Sequence, residues 1–158
     1  MTLRVVGAIA AVAIVLVYAV GSGRYVATNG AWYLSLEAPP WQPPNAVFGL
    51  AWTYNFIALG VVGVLMALRA EARTVIAYLV AFAISVVLAL AWSYLFYEPH
   101  QLMAAAIALS LCALATVPMV VLAFGQQPVL GWLLIPYQLW LVIASSLSWG
   151  YWALNPMG

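Results

Sequence analysis

The chain has 158 residues, of which 68% are hydrophobic and 4% are charged, with no lysine and a formal net charge of +1. Because soluble domains carry about a quarter charged residues, this composition excludes a soluble globular domain and predicts an integral protein in contact with membrane lipid. The near-zero net charge argues against nucleic acid as a partner. The only cysteine, Cys112, lies in an apolar run, which excludes an internal disulfide and a cysteine-based metal cluster.

Five apolar runs follow one another along the chain. Each is close to or above the roughly 20 residues that a helix needs to span hydrocarbon. The runs lack the alternation of barrel strands. We therefore predict an all-α fold, a bundle of five transmembrane helices in a single domain that covers residues 1–158. The predicted spans are 5–21, 46–68, 74–97, 101–124 and 129–155, with a Trp/Pro-rich loop at 22–45.

The first run has two interpretations. Residues Gly21 to Arg24 read GSGR and predict that a first membrane helix ends there. A short positive start before an apolar run also describes a signal peptide, in which case Gly21 or Gly23 marks the cleavage site. Residue pattern alone leaves both interpretations open.

The following loop is dense in tryptophan and proline. Pro39, Pro40, Pro43 and Pro44 fix φ and remove backbone donors, so the middle of this loop is not expected to be helical. Its large side chains are apolar with polar edges, which suits an aromatic belt at a membrane interface. The same side chains suit the lid of a pocket for a flat, hydrophobic ligand.

The third and fifth runs carry the patterns that bear on a binding site. Ala81, Ser85, Ala89 and Ser93 are four residues apart and give the third helix a face of small residues that permits close helix packing. In the fifth helix, three- and four-residue spacing predicts one aromatic and apolar stripe. The stripe contains Trp140, Ala144 and Leu147, with Tyr137 extending it; Pro118 is expected to kink the fourth helix.

Ionisable residues fall in connecting segments. Glu37, Glu71, Glu98 and the four arginines all lie in or beside loops, and this distribution disfavours a proton- or ion-driven pump. His100 follows Glu98-Pro99 in a tight turn, where we expect a solvated interfacial residue. A haem or metal ligand is the alternative, although no second ligand lies nearby in the sequence.

The arginines also predict the orientation. With five spans, the N-terminus and the second and fourth loops share one side, which holds Arg4, Arg69 and Arg73. The opposite side holds only Arg24. The positive-inside rule therefore places the N-terminus in the cytoplasm and the Trp/Pro-rich loop outside.

Residues Trp32 to Trp52 have the spacing W-Y-x-x-L-x-x-P-x-W-x-P-P-x-x-x-F-x-x-x-W. This spacing resembles the first-loop signature of one family, the TspO/translocator proteins, which include bacterial tryptophan-rich sensory proteins and mitochondrial peripheral benzodiazepine receptors. The P-Y-x-x-W motif that ends at Trp140 resembles its fifth helix. The tripeptides Leu147-Ser148-Trp149 and Trp92-Ser93-Tyr94 resemble bacterial versions of the fifth and third helices.

This sequence departs from that family in three respects. Ala38 stands where the family usually has a lysine before the first proline, which puts a role in meeting an anionic ligand in doubt. Ala89 and Ser148 stand where many members have asparagine, so two hydrogen-bonding groups are shortened or lost. No basic residue follows Arg73, so the sterol motif of the animal members is absent and we do not predict cholesterol transport.

The resemblance implies a membrane receptor or transporter-like protein that keeps its first helix and binds porphyrins or other flat hydrophobic ligands between its helices. It implies no required cofactor beyond a porphyrin or haem-type tetrapyrrole as ligand, and a place in a bacterial cell membrane, or the mitochondrial outer membrane of a eukaryote. The alternatives are light- or oxygen-dependent porphyrin degradation, and a non-catalytic stress-regulatory subunit. The ligand-binding residues so implied are Trp32, Tyr33, Pro43, Trp52, Phe56, Ala89, Trp92, Ser93, Trp140, Ala144, Leu147 and Ser148.

The resemblance also implies a homodimer formed through transmembrane helices. Small residues allow close packing between two copies. Such faces contain Ala104, Ala108 and Cys112 on the fourth helix, or Ala81 and Ser85 on the third. The same faces could equally be used inside one bundle.

Overall fold

A computed structural model describes residues 3–28 and 30–156 of the chain, with the side chain of residue 28 left aside. The described residues form six helices, and all but the short second one are long and apolar enough to cross a membrane. The predicted all-α fold with five membrane helices is thus confirmed. The helices are α1 (Leu3–Thr28), α2 (Gly30–Ser35), α3 (Asn45–Arg69), α4 (Ala72–Tyr97), α5 (Leu102–Gln126) and α6 (Pro128–Leu154).

The end of the first helix was predicted wrongly. Instead of ending near residue 21, α1 continues through the glycines to Thr28. Glycine inside a helix costs only about 1 kcal/mol, which tertiary packing can offset. Here Gly21 lies so close to α4 that a β-carbon would be 2.6 Å from Leu90 Cδ2. The hydroxyl of Ser22 donates to the Tyr18 carbonyl at 2.7 Å and follows the helix rather than ending it.

The connection between α1 and α3 is only partly a loop. Its first part contains the helix α2, whereas residues 36–44 are irregular, as the four prolines predicted. The other helices follow each other at short intervals, and Gln127 alone separates α5 from α6. Short connections make consecutive helices antiparallel neighbours. Among the described connections between long helices, the one between α1 and α3 is the longest and is therefore the one able to form a lid.

The five long helices form a closed ring in the order α1, α3, α6, α5, α4 and back to α1. The core lies between the five long helices: Tyr18 comes from α1, and fully buried Tyr78, Phe82, Leu109 and Leu141 come from α4, α5 and α6. Pro118 lies inside α5, which continues through it. In this order α1 packs against α3 and α4, and a cavity lies beside its C-terminal half.

The small faces of α4 and α5 are used within the bundle. Ser85 and Cys112 are fully buried, and the Cys112 thiol donates to the Ser85 carbonyl at 3.2 Å. Ala108 is also buried. Close approach of these two helices explains the small residues, so these three positions do not form a surface for a second copy.

Candidate functional site

A cavity of about 660 Å³ lies at the end of the bundle beside α2. Its walls come from the C-terminal half of α1, the N-terminal half of α3, the C-terminal end of α4 and the C-terminal half of α6. Because these helix segments all point towards the connection between α1 and α3, that connection covers the cavity. The volume lies within the range of about 300–1,000 Å³ that is usual for small-molecule sites.

Aromatic rings of α3 and α6 form one wall. Trp52 and Phe56, one turn apart on α3, stack at 5.4 Å between ring centroids with an angle of 26°. Trp140 meets Trp52 edge to face at 6.5 Å, and Phe48 packs against Trp140 at 5.2 Å. Edge-to-face contacts hold each ring in a fixed orientation. The wall is therefore a rigid apolar surface for a planar molecule.

The opposite wall is oriented by one hydrogen bond between helices. The indole nitrogen of Trp92 on α4 donates to Ser148 Oγ on α6 at 3.2 Å. Phe96, one turn further along α4, packs against Trp92 at 5.8 Å between centroids. Ser148 thus positions an indole, a task suited to a hydroxyl oxygen as acceptor.

Three polar side chains close the cavity at the lid. Tyr151 on α6 donates a hydrogen bond to Gln42 Oε1, and its hydroxyl lies 2.9 Å from that of Tyr33 on α2. The Tyr33 hydroxyl also lies 3.4 Å from Gln42 Oε1. These contacts join α2, the irregular segment and α6, so the polar edge of the aromatic rings faces the lid and their apolar body faces the cavity.

The irregular segment is fastened to the end of α6. Asn155 accepts from the Glu37 backbone N–H at 2.9 Å and donates to the Glu37 carbonyl at 3.0 Å. Gly150 allows close contact, since a β-carbon there would lie 2.6 Å from Pro39 Cγ and 2.9 Å from Trp41 Cζ2. We call residues 36–44 the strap. It is fastened to α6, and its Gln42 contacts Tyr33 and Tyr151 of the cavity lining, although no strap residue is itself among the described lining residues.

Aromatic residues of the Trp/Pro-rich loop occupy both environments that the sequence suggested, the surface and the cavity. Trp41 is 53% exposed and suits the membrane interface, with its indole nitrogen donating to Ser146 Oγ at 3.3 Å. Tyr33 instead points to the cavity as part of the lid. The loop therefore divides its aromatic residues between the two environments.

The structure brings together eight of the twelve residues proposed as ligand-binding. They come from α2, α3, α4 and α6, as the motif positions implied. The eight in the cavity lining are Tyr33, Trp52, Phe56, Trp92, Trp140, Ala144, Leu147 and Ser148.

The other four lie elsewhere. Ala89 and Ser93 face the bundle core, where both are almost fully buried and the Ser93 hydroxyl donates to the Ala89 carbonyl at 3.1 Å. Pro43 is half-buried in the strap but outside the lining. Trp32 packs behind Tyr33, stacked on the ring of His100 at 3.7 Å between centroids and an angle of 8°.

The histidine is therefore not the solvated turn residue that the sequence suggested. Its ring is half-buried against Trp32, and its backbone adopts a left-handed conformation with φ of 57°. Histidine is among the residues that tolerate this region better than most. Within the described part of the chain, no group of three or more metal-binding side chains surrounds it.

Sequence reasoning missed the contribution of α1. Ser22, Gly23 and Val26 line the cavity, but the prediction ended the helix before them. Two further residues had a usable signal: Phe96 follows Trp92 by four residues, and Tyr151 follows Leu147 by four, both on the same helix face.

The lining favours binding over acid–base chemistry. It includes hydroxyl, amide and indole groups, but among the residues described as lining it there is no aspartate, glutamate, lysine, arginine or histidine. The titratable side chains among these residues are the phenols of Tyr33, Tyr97 and Tyr151, and those of Tyr33 and Tyr151 are hydrogen-bonded to each other at the lid. The cavity is suited to hold a flat apolar molecule by stacking and shape.

Comparison with known proteins gives a consistent match. The model of the TspO/MBR family matches residues 9–153. The chain is 29% identical over 137 residues to the protein CrtK of Rhodobacter capsulatus, a match that covers 86% of each chain. It is 30% identical over 126 residues to the tryptophan-rich protein TspO of Bacillus cereus, covering 78% of this chain and 80% of the relative. It is also 30% identical over 139 residues to the translocator protein of Homo sapiens, covering 86% and 82%.

Proposed function

Because the chain belongs to the TspO/MBR family, we propose that it is a membrane receptor or transporter-like protein that binds porphyrins or similar flat hydrophobic ligands in the cavity beside α2. The observation that carries this proposal is the aromatic wall of Trp52, Phe56 and Trp140, which offers stacking surfaces inside a cavity of about 660 Å³. A planar ring system gains most from such a wall. The absence of charged side chains among the described lining residues favours a ligand whose body is uncharged.

The proposal is tested by filling the cavity from α1, which contributes no aromatic ring to the described lining. A β-carbon at Gly23 on α1 would meet no atom within 4 Å, so a Gly23→Phe side chain has room to occupy the cavity. We expect protoporphyrin IX to bind the wild type saturably and this variant at least about tenfold more weakly, a difference of ~1.4 kcal/mol. Quenching of tryptophan fluorescence of the purified protein measures the affinity.

A matched control exists on α3. Gly60 also has open space around it but does not line the cavity. Gly60→Phe should bind protoporphyrin IX like the wild type. In addition, Trp140→Ala should weaken binding by about 1–3 kcal/mol if stacking dominates. Equal binding by wild type, Gly23→Phe and Trp140→Ala would remove the cavity from consideration as the porphyrin site.

A second candidate function is light- or oxygen-dependent degradation of the bound porphyrin. It is supported by the indoles of Trp52, Trp92 and Trp140, which would lie beside an excited ring in this cavity. The test is the absorbance of a porphyrin–protein mixture under illumination, with free tryptophan in detergent as the control. Equal loss of absorbance in both samples would leave binding as the function.

The proposed membrane is the bacterial cell membrane, with the N-terminus in the cytoplasm. Arg69 ends α3 and Arg73 lies in the first turn of α4, so both share the side on which α1 starts. In a Cys112→Ala background, a membrane-impermeant maleimide should label Ser35→Cys in intact cells and leave Glu71→Cys unlabelled. The reverse pattern would invert the topology.

We also propose a homodimer. The surface for it has to lie among lipid-facing side chains such as Ile84 on α4 and Leu114 on α5, which are 51% and 66% exposed. Between membrane helices, packing and lipid effects drive association, so detergent can dissociate such a dimer. Cysteines introduced at these two positions should form cross-links between copies in intact membranes, and the dimer through α4 and α5 is abandoned if neither does.

A further inference from the structure

A second concave surface lies on the outside of the bundle, between α3 and α6. This groove has a volume of about 450 Å³ and is lined by residues that include Leu50, Tyr54, Asn55, Leu139 and Trp140. Leu50 and Leu139 are 73% and 57% exposed, so the groove opens towards lipid. Trp140 lines both the groove and the porphyrin cavity and therefore forms the wall between them.

The floor of the groove carries an uncompensated polar group. Asn55 is 1% exposed, and its Nδ2 has no hydrogen-bond partner among the described residues. The indole nitrogen of Trp140 in the same wall is also buried without a partner in the described structure. Unpaired polar groups in the hydrocarbon region are costly, and polar side chains within membrane helices commonly mark functional sites. Both unpaired groups are hydrogen-bond donors, so a ligand that pairs with them has to supply hydrogen-bond acceptors.

The depth of Asn55 restricts what that ligand can be. Asn55 lies two residues from Ile57, the middle residue of α3. At about 1.5 Å per residue, Asn55 is therefore ~3 Å from the middle of the helix along its axis. Trp140 lies one residue from Leu141, the middle of α6. The hydrocarbon core is about 30 Å thick, so the nearer lipid head groups are roughly 12 Å from Asn55. An acceptor at the level of Asn55 has to belong to a molecule that dissolves in the centre of the bilayer.

We propose that this groove binds a lipophilic quinone. A quinone ring is flat, uncharged and equipped with carbonyl oxygens that accept but do not donate hydrogen bonds, which matches the two unpaired donors. One carbonyl accepts from Asn55 Nδ2 while the ring packs on the aromatic side chains of Trp140 and Tyr54. The apolar tail lies along Leu50 and Leu139 towards lipid. This site is separate from the cavity and does not depend on the identity of the ligand bound there.

A second copy of the chain fits this groove less well. Asn55 lies at the floor with almost no exposed surface, below the ridges formed by Leu50 and Leu139. A neighbouring helix would rest on those ridges and leave the amide unpaired. In the proposed complex the thinner ring occupies the groove of about 450 Å³, and side-chain movement at its floor brings a carbonyl to Asn55 Nδ2. A copy-to-copy contact is therefore an outcome that the test has to recognise.

The test uses the full chain in lipid nanodiscs with decylubiquinone as the probe. We expect saturable binding, together with a shift of the quinone carbonyl stretching band to lower wavenumber in the infrared difference spectrum. Asn55→Leu should abolish the band shift and weaken binding about three- to tenfold, the factor expected from the loss of one hydrogen bond between neutral groups. Because leucine removes the unpaired amide and keeps a similar volume, this variant is expected to fold.

Two further variants separate the groove from the cavity. Ala51→Phe fills the groove from its half-buried edge and leaves the Asn55 amide in place. This variant should also weaken decylubiquinone binding. Gly23→Phe fills the cavity and should leave decylubiquinone binding unchanged, even where porphyrin binding is lost. The proposal is overturned if Asn55→Leu binds decylubiquinone like the wild type, if Gly23→Phe abolishes its binding, or if Asn55→Leu changes only cross-linking between copies.

Discussion

The two sides of the bundle are built differently. On one side, α4, α5 and α6 pack closely, and in the most apolar stretch of α5 44% of residues are buried. On the other side, α1 has 17% of the corresponding stretch buried and borders the cavity. The packed side stabilises the protein, and the α1 side provides the space for a ligand.

The chemistry of the contacts explains the difference. In lipid, helices do not gain hydrophobic free energy by association, so close fit and hydrogen bonds decide which helices stay together. On the packed side, Gln138 Nε2 donates to the Ala113 carbonyl at 2.9 Å and its Oε1 accepts from Thr116 at 2.5 Å. On the α1 side, α1 and α3 instead approach each other closely at small residues: a β-carbon at Gly63 would lie 2.9 Å from the β-carbon of Ala11.

Enlarging one buried residue should break the packed side. Cys112→Phe places a large ring between α5 and α4, where the thiol is fully buried against the Ser85 carbonyl. We expect the free energy of unfolding to fall by about 3 kcal/mol, the upper range for overpacking. Thermal unfolding in one detergent measures it. Gly23→Phe introduces the same ring on the α1 side and should change stability by less than about 1 kcal/mol. Equal losses in both variants would contradict the proposed division.

Releasing the strap should affect the cavity but not the packed helices. Asn155→Ala removes both hydrogen bonds to the Glu37 backbone, which together contribute about 1–2 kcal/mol at most for neutral groups. Amide exchange in residues 36–44 should become faster, and bound protoporphyrin should dissociate faster. Hydrogen–deuterium exchange with mass spectrometry measures the first effect. Unchanged exchange in the strap, or faster exchange throughout α5, would show that Asn155 does not act as a local fastening.

Removing the two interhelical hydrogen bonds of Gln138 should have the smallest effect. Gln138→Leu deletes the contacts of α6 with Thr116 and Ala113 on α5, and at about 0.6 kcal/mol for each bond in a membrane we expect a loss of about 1 kcal/mol. Thr53→Val is the matched control, since its hydroxyl bonds only to Gly49 within α3. If the two variants unfold at the same temperature, the polar contacts do not distinguish the packed side.

The sequence predicted the ends of the helices more accurately where the signal was the length of an apolar run than where the signal was a glycine. The four later spans were placed within a few residues, because each has more than enough apolar residues to cross a membrane. The end of α1 was misplaced because Gly21 has a packing role against Leu90 that pattern alone does not reveal. That single error hid the contribution of Ser22 and Gly23 to the cavity.

The positions of several cavity-lining residues were predicted for a similar reason, whereas their role in ligand binding stays a prediction. The positions of Trp52, Phe56 and Trp140 follow from motifs and helical spacing, and the structure places all three in the cavity lining. Ser93 and Ala89 were also proposed for the site, but they lie on the core-facing side of α4. Rotation of a helix about its axis is set by its neighbours, so spacing alone does not decide which small residues face the cavity and which face the core.

By itself, the sequence determined the environment of this protein, its number of membrane helices and the position of its irregular strap. These follow from local quantities: apolar length, scarcity of charge and the fixed φ of four prolines. Only the tertiary structure decided the cyclic order of the helices, the fastening of the strap to Asn155 and the unpaired amide of Asn55 in the outer groove. Those features depend on contacts between residues distant in the chain, and a one-dimensional pattern does not contain them.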